Sequence, residues 1–258
     1  MDVSDAAVRE IVEVTMRTVH VGTSGWQYRD WRGPFYPRDL PQREWLPYFA
    51  SHFETVEVNN SFYRLPERST FERWREQTPP GFIVTVNASR YVTHLKRLKD
   101  PEAPVSLFWE RATGLGDRLG PVLFQLPPRF PADLERLRRF LGVLPHRIRS
   151  AFEFRDDSWL TDEVYTLLDD VGAALVWPDR PGTRADLPVV GDWLYVRFHQ
   201  GTRSGPDYRR DKLRRWASRI AAADAREGFV YFNNDPTGAA IRDARTMIEL
   251  LDAEGVAA

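Results

Sequence analysis

Short hydrophobic segments recur along the chain, and most are separated by longer segments with helical periodicity. Runs rich in β-branched and aromatic residues, bounded by Gly or Pro, predict eight strands at residues 19–24, 55–59, 82–86, 122–125, 150–155, 173–177, 193–199 and 229–233. Helices are predicted at about residues 41–52, 69–77, 103–119, 133–141, 161–170, 211–223 and 237–251, with Ser69 or Thr70, Asp133 and Thr161 as N-caps. This repeat predicts an α/β fold with a parallel sheet.

Eight βα units in 258 residues match a single TIM-type (β/α)8 barrel, with parallel strands in the wall and helices outside. An open doubly wound sheet is the alternative, but the first strand ends in GTSG and lacks the Gly-rich phosphate turn of that fold. No linker composition divides the chain. We therefore interpret residues 1–18 as an N-terminal extension, with Met16 as an alternative start, and residues 19–258 as one barrel domain.

Polar and aromatic side chains recur where the predicted strands end. In the inward register they are Ser24 with Trp26, Glu57 with Asn59, Thr85 with Asn87, Gln125, Glu153 with Arg155, Trp177 with Asp179, Tyr195 with Arg197 and His199, and Tyr231 with Asn233. The carboxyl ends of parallel barrel strands open on one face, and barrel enzymes carry their active sites there. The sequence therefore predicts a site at this face.

Charged residues also lie within hydrophobic strands. Glu57, Glu153 and Arg197 have apolar neighbours, and an unpaired buried charge costs several kcal/mol. We expect them to pair with each other or with Arg155. The catalytic candidates are Glu57 and Glu153 as acid or base and His199 as the proton carrier. A buried network that only fills the barrel centre is the structural alternative.

The remaining candidates are polar, aromatic or basic residues of strand ends and loops. Basic loops at residues 90–97 and 201–210 follow the third and seventh strands, and Arg203 is the best anion-binding candidate of the second. The predicted substrate-binding residues are Trp26, Tyr28, Asn59, Tyr63, Arg64, His94, Gln125, Arg155, Arg197, Arg203, Asn233, Asn234 and Asp235.

Composition excludes several kinds of chemistry. The chain has no Cys, which excludes disulfides and thiolate sites, and its five His are few for a multi-metal centre. No cofactor is predicted; if a metal binds, Glu57, Glu153, His199 and Asp235 are its candidate ligands. No segment has the length of a membrane span, and we expect a cytoplasmic protein. The net charge of −1 gives no overall nucleic-acid footprint.

Several ordered motifs resemble one known family. GTSGWQYRDWRGPFYP (22–37), VEVNNSFYRLP (56–66), TPPGF (78–82), YVTHLKRL (91–98), FQLPP (124–128), FEFRDDSW (152–159), YVRFH (195–199) and YFNND (231–235) are similar to those of the YecE-like family, catalogued as domain of unknown function 72. The resemblance covers about residues 19–251 and implies a TIM-type barrel, but it does not supply a reaction. Asn87, Asp156 and Gln200 stand where that family commonly carries Lys, His and Gly.

Three functions fit these residues. The first is a hydrolase or lyase acting on an anionic substrate, such as a phosphate ester or nucleic-acid fragment. The second is a non-catalytic ligand-binding or regulatory barrel. The third is a glycoside hydrolase that uses Glu57 and Glu153, with sugars stacked on aromatic residues. Its candidate stacking residues are Trp26, Tyr28, Trp31, Tyr63 and Trp177. No protein or membrane partner is indicated.

Overall fold

The structure is a computed structural model that describes residues 18–145, 148–184, 186–199, 201–202 and 205–258. The predicted N-terminal extension, apart from Thr18, and the candidate Arg203 lie outside these residues. Eight parallel strands form a closed barrel in sequence order, with β8 paired to β1, which confirms the predicted fold. The strands are β1 (Thr18–Ser24), β2 (Thr55–Val58), β3 (Ile83–Asn87), β4 (Leu119–Gln125), β5 (Ser150–Glu153), β6 (Ala174–Asp179), β7 (Trp193–Phe198) and β8 (Glu227–Phe232).

Helices surround this barrel and connect its strands. They are α1 (Trp45–Ala50), α2 (Asn60–Tyr63), α3 (Arg68–Glu76), α4 (Glu102–Ala112), α5 (Leu134–Val143), α6 (Asp162–Asp169), α7 (Arg210–Ala221) and α8 (Ala239–Ala253). Short 3-10 turns lie at Arg29–Trp31, Gln42–Glu44, Thr113–Arg118, Asp157–Trp159 and Pro236–Gly238, and a π-helical turn lies at Tyr91–Leu95. In the described part of the chain, no helix combines the length and apolarity that crossing a membrane requires.

Two of the three predicted N-caps are confirmed. The Asp133 side chain accepts a hydrogen bond from the backbone N–H of Arg136, and the Thr161 hydroxyl accepts one from the N–H of Val164. The prediction of Ser69 or Thr70 was wrong, because α3 begins one residue before them and no side chain caps it. That helix is held by its buried face instead.

The predicted helix at residues 103–119 and the predicted fourth strand differ from the structure. Helix α4 ends at Ala112, and a 3-10 turn leads through Gly116, whose positive φ of 57° ends the helical path. Strand β4 then begins at Leu119, three residues before its predicted start. Gly120 is required there, because an added Cβ atom would lie 2.4 Å from the Cγ2 atom of Ile83.

Hydrophobic side chains form two layers, one between the strands and the helices and one inside the barrel. The inner layer consists of Leu123, Ala151, Ala174, Val176, Trp193, Tyr195, Phe229 and Tyr231. It fills the barrel interior, and its two tyrosines hydrogen-bond inside the barrel: Tyr195 donates to Glu57, and the Tyr231 hydroxyl bonds to Thr55 and Thr85. His20 lies at the amino end of the barrel, where it contacts Glu227 of β8.

The register of β6 was predicted wrongly. Val176 belongs to the inner layer, so Trp177 and Asp179 face the helices rather than the barrel interior. The Trp177 indole N–H donates to the carbonyl of Pro188, and the Asp179 carboxylate lies 2.7 Å from the Lys212 ammonium on α7. Residues 174–177 are all hydrophobic, so their pattern did not distinguish the two faces. Trp177 is therefore not available to stack a sugar.

The aromatic segment after β1 is largely core. Tyr36 stacks on Trp45 with ring centroids 4.7 Å apart, and Trp31 is fully buried. The Trp31 indole N–H donates to the carbonyl of Asp235, so this segment packs under the chain that follows β8. The suggestion that Trp31 stacks a sugar was therefore wrong.

Candidate functional site

A buried ion-pair cluster occupies the centre of the barrel at the carboxyl ends of the strands. Arg197 on β7 donates from Nη2 to Glu57 Oε1 of β2 at 2.8 Å and from Nη1 to Glu153 Oε2 of β5 at 2.6 Å. The Arg197 side chain is 2% exposed, and both glutamate side chains are fully buried. The prediction that these three charges pair is confirmed.

Hydroxyl and amide groups complete the pairing of these charges. The Ser24 and Tyr195 hydroxyls each donate to Glu57 at 2.5 Å. The Gln125 side-chain oxygen accepts from Arg197 at 3.0 Å and from Arg155 at 2.8 Å. We refer to the whole set as the central network: Ser24, Glu57, Gln125, Glu153, Arg155, Tyr195 and Arg197. It joins side chains from β1, β2, β4, β5 and β7 with Arg155, two residues beyond β5.

The central network is charged. Burial opposes the ionisation of Glu153, but the positive groups of Arg197 and His199 hold its pKa well below the ordinary value. Burial alone would lower the pKa of Arg197, whereas the carboxylates of Glu57 and Glu153 raise it. Burial and the neighbouring Glu57 charge raise the pKa of Tyr195, which therefore stays a neutral hydrogen-bond donor.

His199 lies at the edge of the central network, directly after β7. Its Nε2 atom is 3.5 Å from Glu153 Oε1, and its side chain is 11% exposed. That nitrogen is buried and has no hydrogen-bond partner among the described residues. The structure thus places an imidazole beside an ionised carboxylate at the open end of the barrel.

A second polar group forms at the ends of β1, β2 and β8. The Asn59 side-chain N–H group donates to the Ser24 carbonyl and to Asn233 Oδ1, both at 3.1 Å. The Tyr28 hydroxyl donates to the same carbonyl at 2.6 Å. These bonds fix the orientation of the Asn59 amide and hold both side chains against the barrel rim.

Asp235 adjoins this second group. Burial, together with the negative charges of Asp30 and Glu57, raises the pKa of the Asp235 carboxyl to about 7. Burial and the same carboxyl raise the pKa of Tyr28. Because the Tyr28 hydroxyl donates its hydrogen to the Ser24 carbonyl, that hydrogen does not stabilise an Asp235 carboxylate. The arrangement favours the protonated form of Asp235.

The rim on the side of β3, β5 and β6 is basic. Burial and the positive charges of Arg155, Arg90 and Arg97 lower the pKa of His94. Arg180, which follows β6, donates to the Phe154 carbonyl at 3.2 Å. Burial, and to a smaller extent the positive charge of Arg155, lowers the pKa of Arg180. Among the described residues, no carboxylate forms an ion pair with Arg90, Arg97 or Arg180. These three residues therefore give the rim excess positive charge.

Cavities open at both ends of the barrel. At the carboxyl end, a cavity of about 240 Å³ is lined by Gly25, Trp26, Gln27, Tyr28, Val58, Asn59, Asn60 and Tyr63. At the amino end, a cavity of about 530 Å³ contains Arg118 and Arg149, but these pair with Asp117 and Glu227 respectively. The amino-end cavity is larger, yet its charges are compensated. The carboxyl end is therefore the better candidate site.

The structure brings most of the predicted site residues to this end. Glu57, Glu153, Arg155, Arg197 and Gln125 form the central network with His199 beside it; Tyr28, Asn59, Asn233 and Asp235 form the second group; Trp26 and Tyr63 line the cavity, and His94 lies at the basic rim.

Two candidates are not part of this arrangement. Arg64 is exposed, and its side chain makes no hydrogen bond or ion pair with the described residues. Asn234 donates to Asp243 at 2.6 Å and to the Pro206 carbonyl, so it anchors α8 to the chain before α7 rather than lining the barrel. No group of three or more His, Asp or Glu residues suited to a metal occurs in the described ranges.

Sequence reasoning missed the position of Arg180 and the raised pKa of Asp235. Arg180 follows the strand whose register was ambiguous, and the pattern gave no sign that its side chain returns to the rim. The signal for Asp235 was weaker still, because its burial depends on the packing of Tyr28 and the aromatic segment after β1.

Fold and site together define a TIM-barrel protein with a charged centre and a partly basic rim at the carboxyl ends of its strands. The chain belongs to the DUF72 family: the family model described as "Protein of unknown function DUF72" matches residues 20–258. This confirms the resemblance deduced from the motifs.

Two curated proteins are similar to this chain in sequence, and one solved structure is similar in fold. UPF0759 protein YunF of Bacillus subtilis is 27% identical over 276 residues, covering 92% of this chain and 95% of YunF. UPF0759 protein YecE of Escherichia coli K12 is 34% identical over 111 residues, 43% of this chain and 41% of YecE. The crystal structure of a DUF72 family protein from Thermotoga maritima has a TM-score of 0.80 and 29% identity, covering 92% of this chain and all of that one. None of these names states a reaction.

Proposed function

We propose that this protein is an enzyme, a hydrolase or lyase, that binds a small phosphate-bearing anion at the carboxyl end of the barrel and acts on it by proton transfer. The observation that supports this most is the basic rim: Arg90 and Arg97 lie near His94, Arg180 lies near the central network, and none of the three arginines forms an ion pair with a described carboxylate. A nucleic-acid fragment is one source of such a phosphate.

The charges of the central network and of the rim support the binding of an anion. Within the central network, the two carboxylates of Glu57 and Glu153 are balanced by the guanidinium groups of Arg197 and Arg155. The rim arginines form no ion pair with the described carboxylates, and the negative charges of Glu153 and Asp157 act on Arg180 from a greater distance. A guanidinium matches the geometry of phosphate oxygens, and a partly buried one binds them more strongly than an exposed one does. Arg180 is the most sheltered of the three and is the principal anion ligand in this proposal.

Three residues take part in the proposed proton transfer: His199, Glu153 and Asp235. Ionised Glu153 lies beside the His199 imidazole, with Oε1 3.5 Å from Nε2. The pKa of Asp235 is shifted in the opposite direction, to about 7, so a protonated acid is present on the adjacent strand end near neutral pH. Two groups whose environments separate their pKa values are suited to act as base and acid.

Glu57 has a different role in this proposal. Its two carboxylate oxygens accept hydrogen bonds from Ser24, Tyr195 and Arg197, and its side chain is fully buried. These contacts leave it poorly suited to exchange a proton with a substrate. We propose that Glu57 is a positioning residue that holds Arg197, and that proton transfer belongs to His199.

The glycoside hydrolase is less well supported. A glycosidase acid needs a raised pKa, whereas Arg197 and His199 hold the pKa of Glu153 well below its ordinary value. Glu57 and Glu153 also bind the same guanidinium group, which occupies the space between them. A non-catalytic binding barrel is the second candidate, because complete pairing of the central network is equally suited to a rigid scaffold.

Substituting Arg180 by Gln is expected to weaken the binding of inorganic phosphate about 10-fold to 100-fold, because a hydrogen bond to a charged group contributes about 1.5–3 kcal/mol. Isothermal titration calorimetry at low ionic strength measures this change. Arg138→Gln is the matched control: Arg138 lies on α5 with a side chain 60% exposed, and its loss should leave phosphate affinity unchanged. Equal affinity of the two variants would refute the anion assignment.

Substituting His199 by Gln separates catalysis from binding. We expect turnover of a phosphate ester to fall about 100-fold, because general acid–base groups contribute at least this factor. The affinity for inorganic phosphate should stay within about threefold, since Arg180 is retained. A panel of phosphate monoesters and diesters, including a short oligonucleotide, supplies the substrates. Phosphate binding without turnover of any ester by the wild-type protein would favour the non-catalytic barrel.

A further inference from the structure

The cavity of about 240 Å³ at the carboxyl end lies across the barrel from Arg180, whereas His94 of the basic rim follows the neighbouring strand β3. Its lining comes from the chain that follows β1 and β2, whereas Arg155 and Arg180 follow β5 and β6. In a closed ring of eight strands, β2 and β6 are opposite each other. A ligand bound to Arg180 therefore reaches this cavity only by extending across the barrel mouth.

The cavity walls are aromatic and held in place. Tyr28 packs on Trp31 with ring centroids 4.7 Å apart, and its hydroxyl is fixed to the Ser24 carbonyl. Trp26 contacts Trp74 edge to face at 5.4 Å. Fixed aromatic rings present flat surfaces that bind another ring without losing side-chain freedom.

Tyr63 is the unusual member of the wall. Its side chain is 72% exposed, although it belongs to a short helix directly after β2. It contacts Phe62 edge to face at 5.2 Å, and Phe62 in turn contacts His94 of the basic rim at 4.9 Å. An exposed aromatic ring beside a preformed cavity is typical of a stacking surface, whereas the core already contains the other aromatic rings of this segment.

Polar atoms of the cavity set a second requirement. The Asn59 side-chain N–H group is used for Ser24 and Asn233, and its Oδ1 atom is buried, so Asn59 itself offers the ligand no free polar atom. Gln27 and Asn60 are exposed amides in the same lining. Amide groups of this kind bind the edges of polar rings, such as the hydroxyls of a sugar or the nitrogens of a base.

Cavity size limits what is bound there. Sites for drug-sized ligands begin at about 300 Å³, so this cavity accommodates one or two rings and not a whole larger ligand. The phosphate would lie on the opposite rim, and a spacer would cross the central network between them. The two subsites together thus define a ligand with three parts.

We propose that the cavity binds the ring of a ring–spacer–phosphate compound whose phosphate is bound by Arg180. This rests on the proposed function, because the phosphate subsite is the one argued above. A nucleoside monophosphate and a disaccharide phosphate share this chemistry. In the first the ring is a base on a ribose spacer, and in the second it is a sugar on a sugar spacer.

Calorimetric titration of the wild-type protein with four probes tests the proposal: inorganic phosphate, ribose 5-phosphate, adenosine 5′-monophosphate and trehalose 6-phosphate. We expect adenosine 5′-monophosphate, trehalose 6-phosphate or both to bind about tenfold or more tightly than ribose 5-phosphate, which lacks the additional ring. The tighter probe identifies whether the ring is a base or a sugar. In Tyr63→Ala this advantage should disappear, while the affinity for inorganic phosphate stays within about threefold.

Tyr91→Ala is the control, because Tyr91 is also exposed but does not line the cavity. It should keep the tenfold advantage. Two results would overturn the ring subsite and leave the proposed function intact. In the first, the wild-type protein binds phosphate but binds neither larger probe more tightly than ribose 5-phosphate. In the second, the tighter binding persists in Tyr63→Ala. Failure of all four probes to bind would overturn both.

Discussion

Substituting Arg197 by Met is expected to lower the free energy of unfolding by about 3–5 kcal/mol at neutral pH. Arg197 binds both Glu57 and Glu153, and the variant leaves these two fully buried carboxylates without their cation. Methionine has a similar length and no charge, so it preserves much of the packing in the barrel centre. Urea denaturation followed by tryptophan fluorescence measures the change.

Arg155→Met is the matched control for that variant. Arg155 is 29% exposed and lies 3.3 Å from Glu153, so its loss should cost about 1 kcal/mol or less. The triple variant Glu57→Gln, Glu153→Gln, Arg197→Met should recover part of the stability lost in the single variant, since its buried groups are neutral. If the two single variants were equally stable, the central network would not be the main electrostatic element of the core.

The stability difference should also depend on pH. In the wild type, the pKa of Glu153 lies well below its ordinary value, so its ion pair stabilises the fold above the ordinary pKa. This contribution is lost as the pH falls through the lowered value. In Arg197→Met the Glu153 carboxyl becomes neutral more readily, because desolvation, which raises its pKa, is no longer opposed by Arg197. The destabilisation should therefore become smaller on acidification.

Substituting Asp235 by Asn is expected to raise the free energy of unfolding at pH 8 by about 4 kcal/mol relative to the wild type. The pKa of this carboxyl is raised from its ordinary value of 3.8 to about 7, so the folded protein favours the protonated form. Its stabilising contribution is complete below about pH 4 and is lost as the pH rises towards 7. Asparagine stays neutral at every pH.

Denaturation curves between pH 4 and pH 8 check this prediction. The difference between Asp235→Asn and wild type should be small at the acidic end and should increase with pH until it levels off above the pKa of about 7. Asp252→Asn, at an exposed position of α8, should change stability by less than about 0.5 kcal/mol throughout. A difference that does not vary with pH would show that Asp235 does not titrate as described.

The central network was predictable from the sequence for a definite physical reason. Strand alternation places Glu57, Glu153 and Arg197 in the inward register, and buried charges need partners. The carboxyl ends of parallel strands meet at one face, so the pairing required only that the barrel close. The eight βα units of the sequence predicted a closed barrel, and the structure confirms that the barrel is closed.

Other parts of the site depend on information that alternation does not carry. Strand β6 is hydrophobic on both faces, so neither the position of Trp177 nor that of Arg180 followed from its pattern. The aromatic residues between β1 and α1 resembled an exposed ligand platform, but Trp31 and Tyr36 are core residues held by packing against α1 and the chain after β8. Such loop positions are set by tertiary contacts distant in sequence.

The position of Arg197 also bears on how the chain folds. Its two carboxylate partners lie in different halves of the barrel, Glu57 on β2 and Glu153 on β5, while Arg197 itself is on β7. A fragment containing β1–β4 would bury Glu57 without a cation, and one containing β5–β8 would leave Arg197 with a single partner. The halves are therefore not interchangeable modules. Charge neutrality in this network is reached only when both halves are joined.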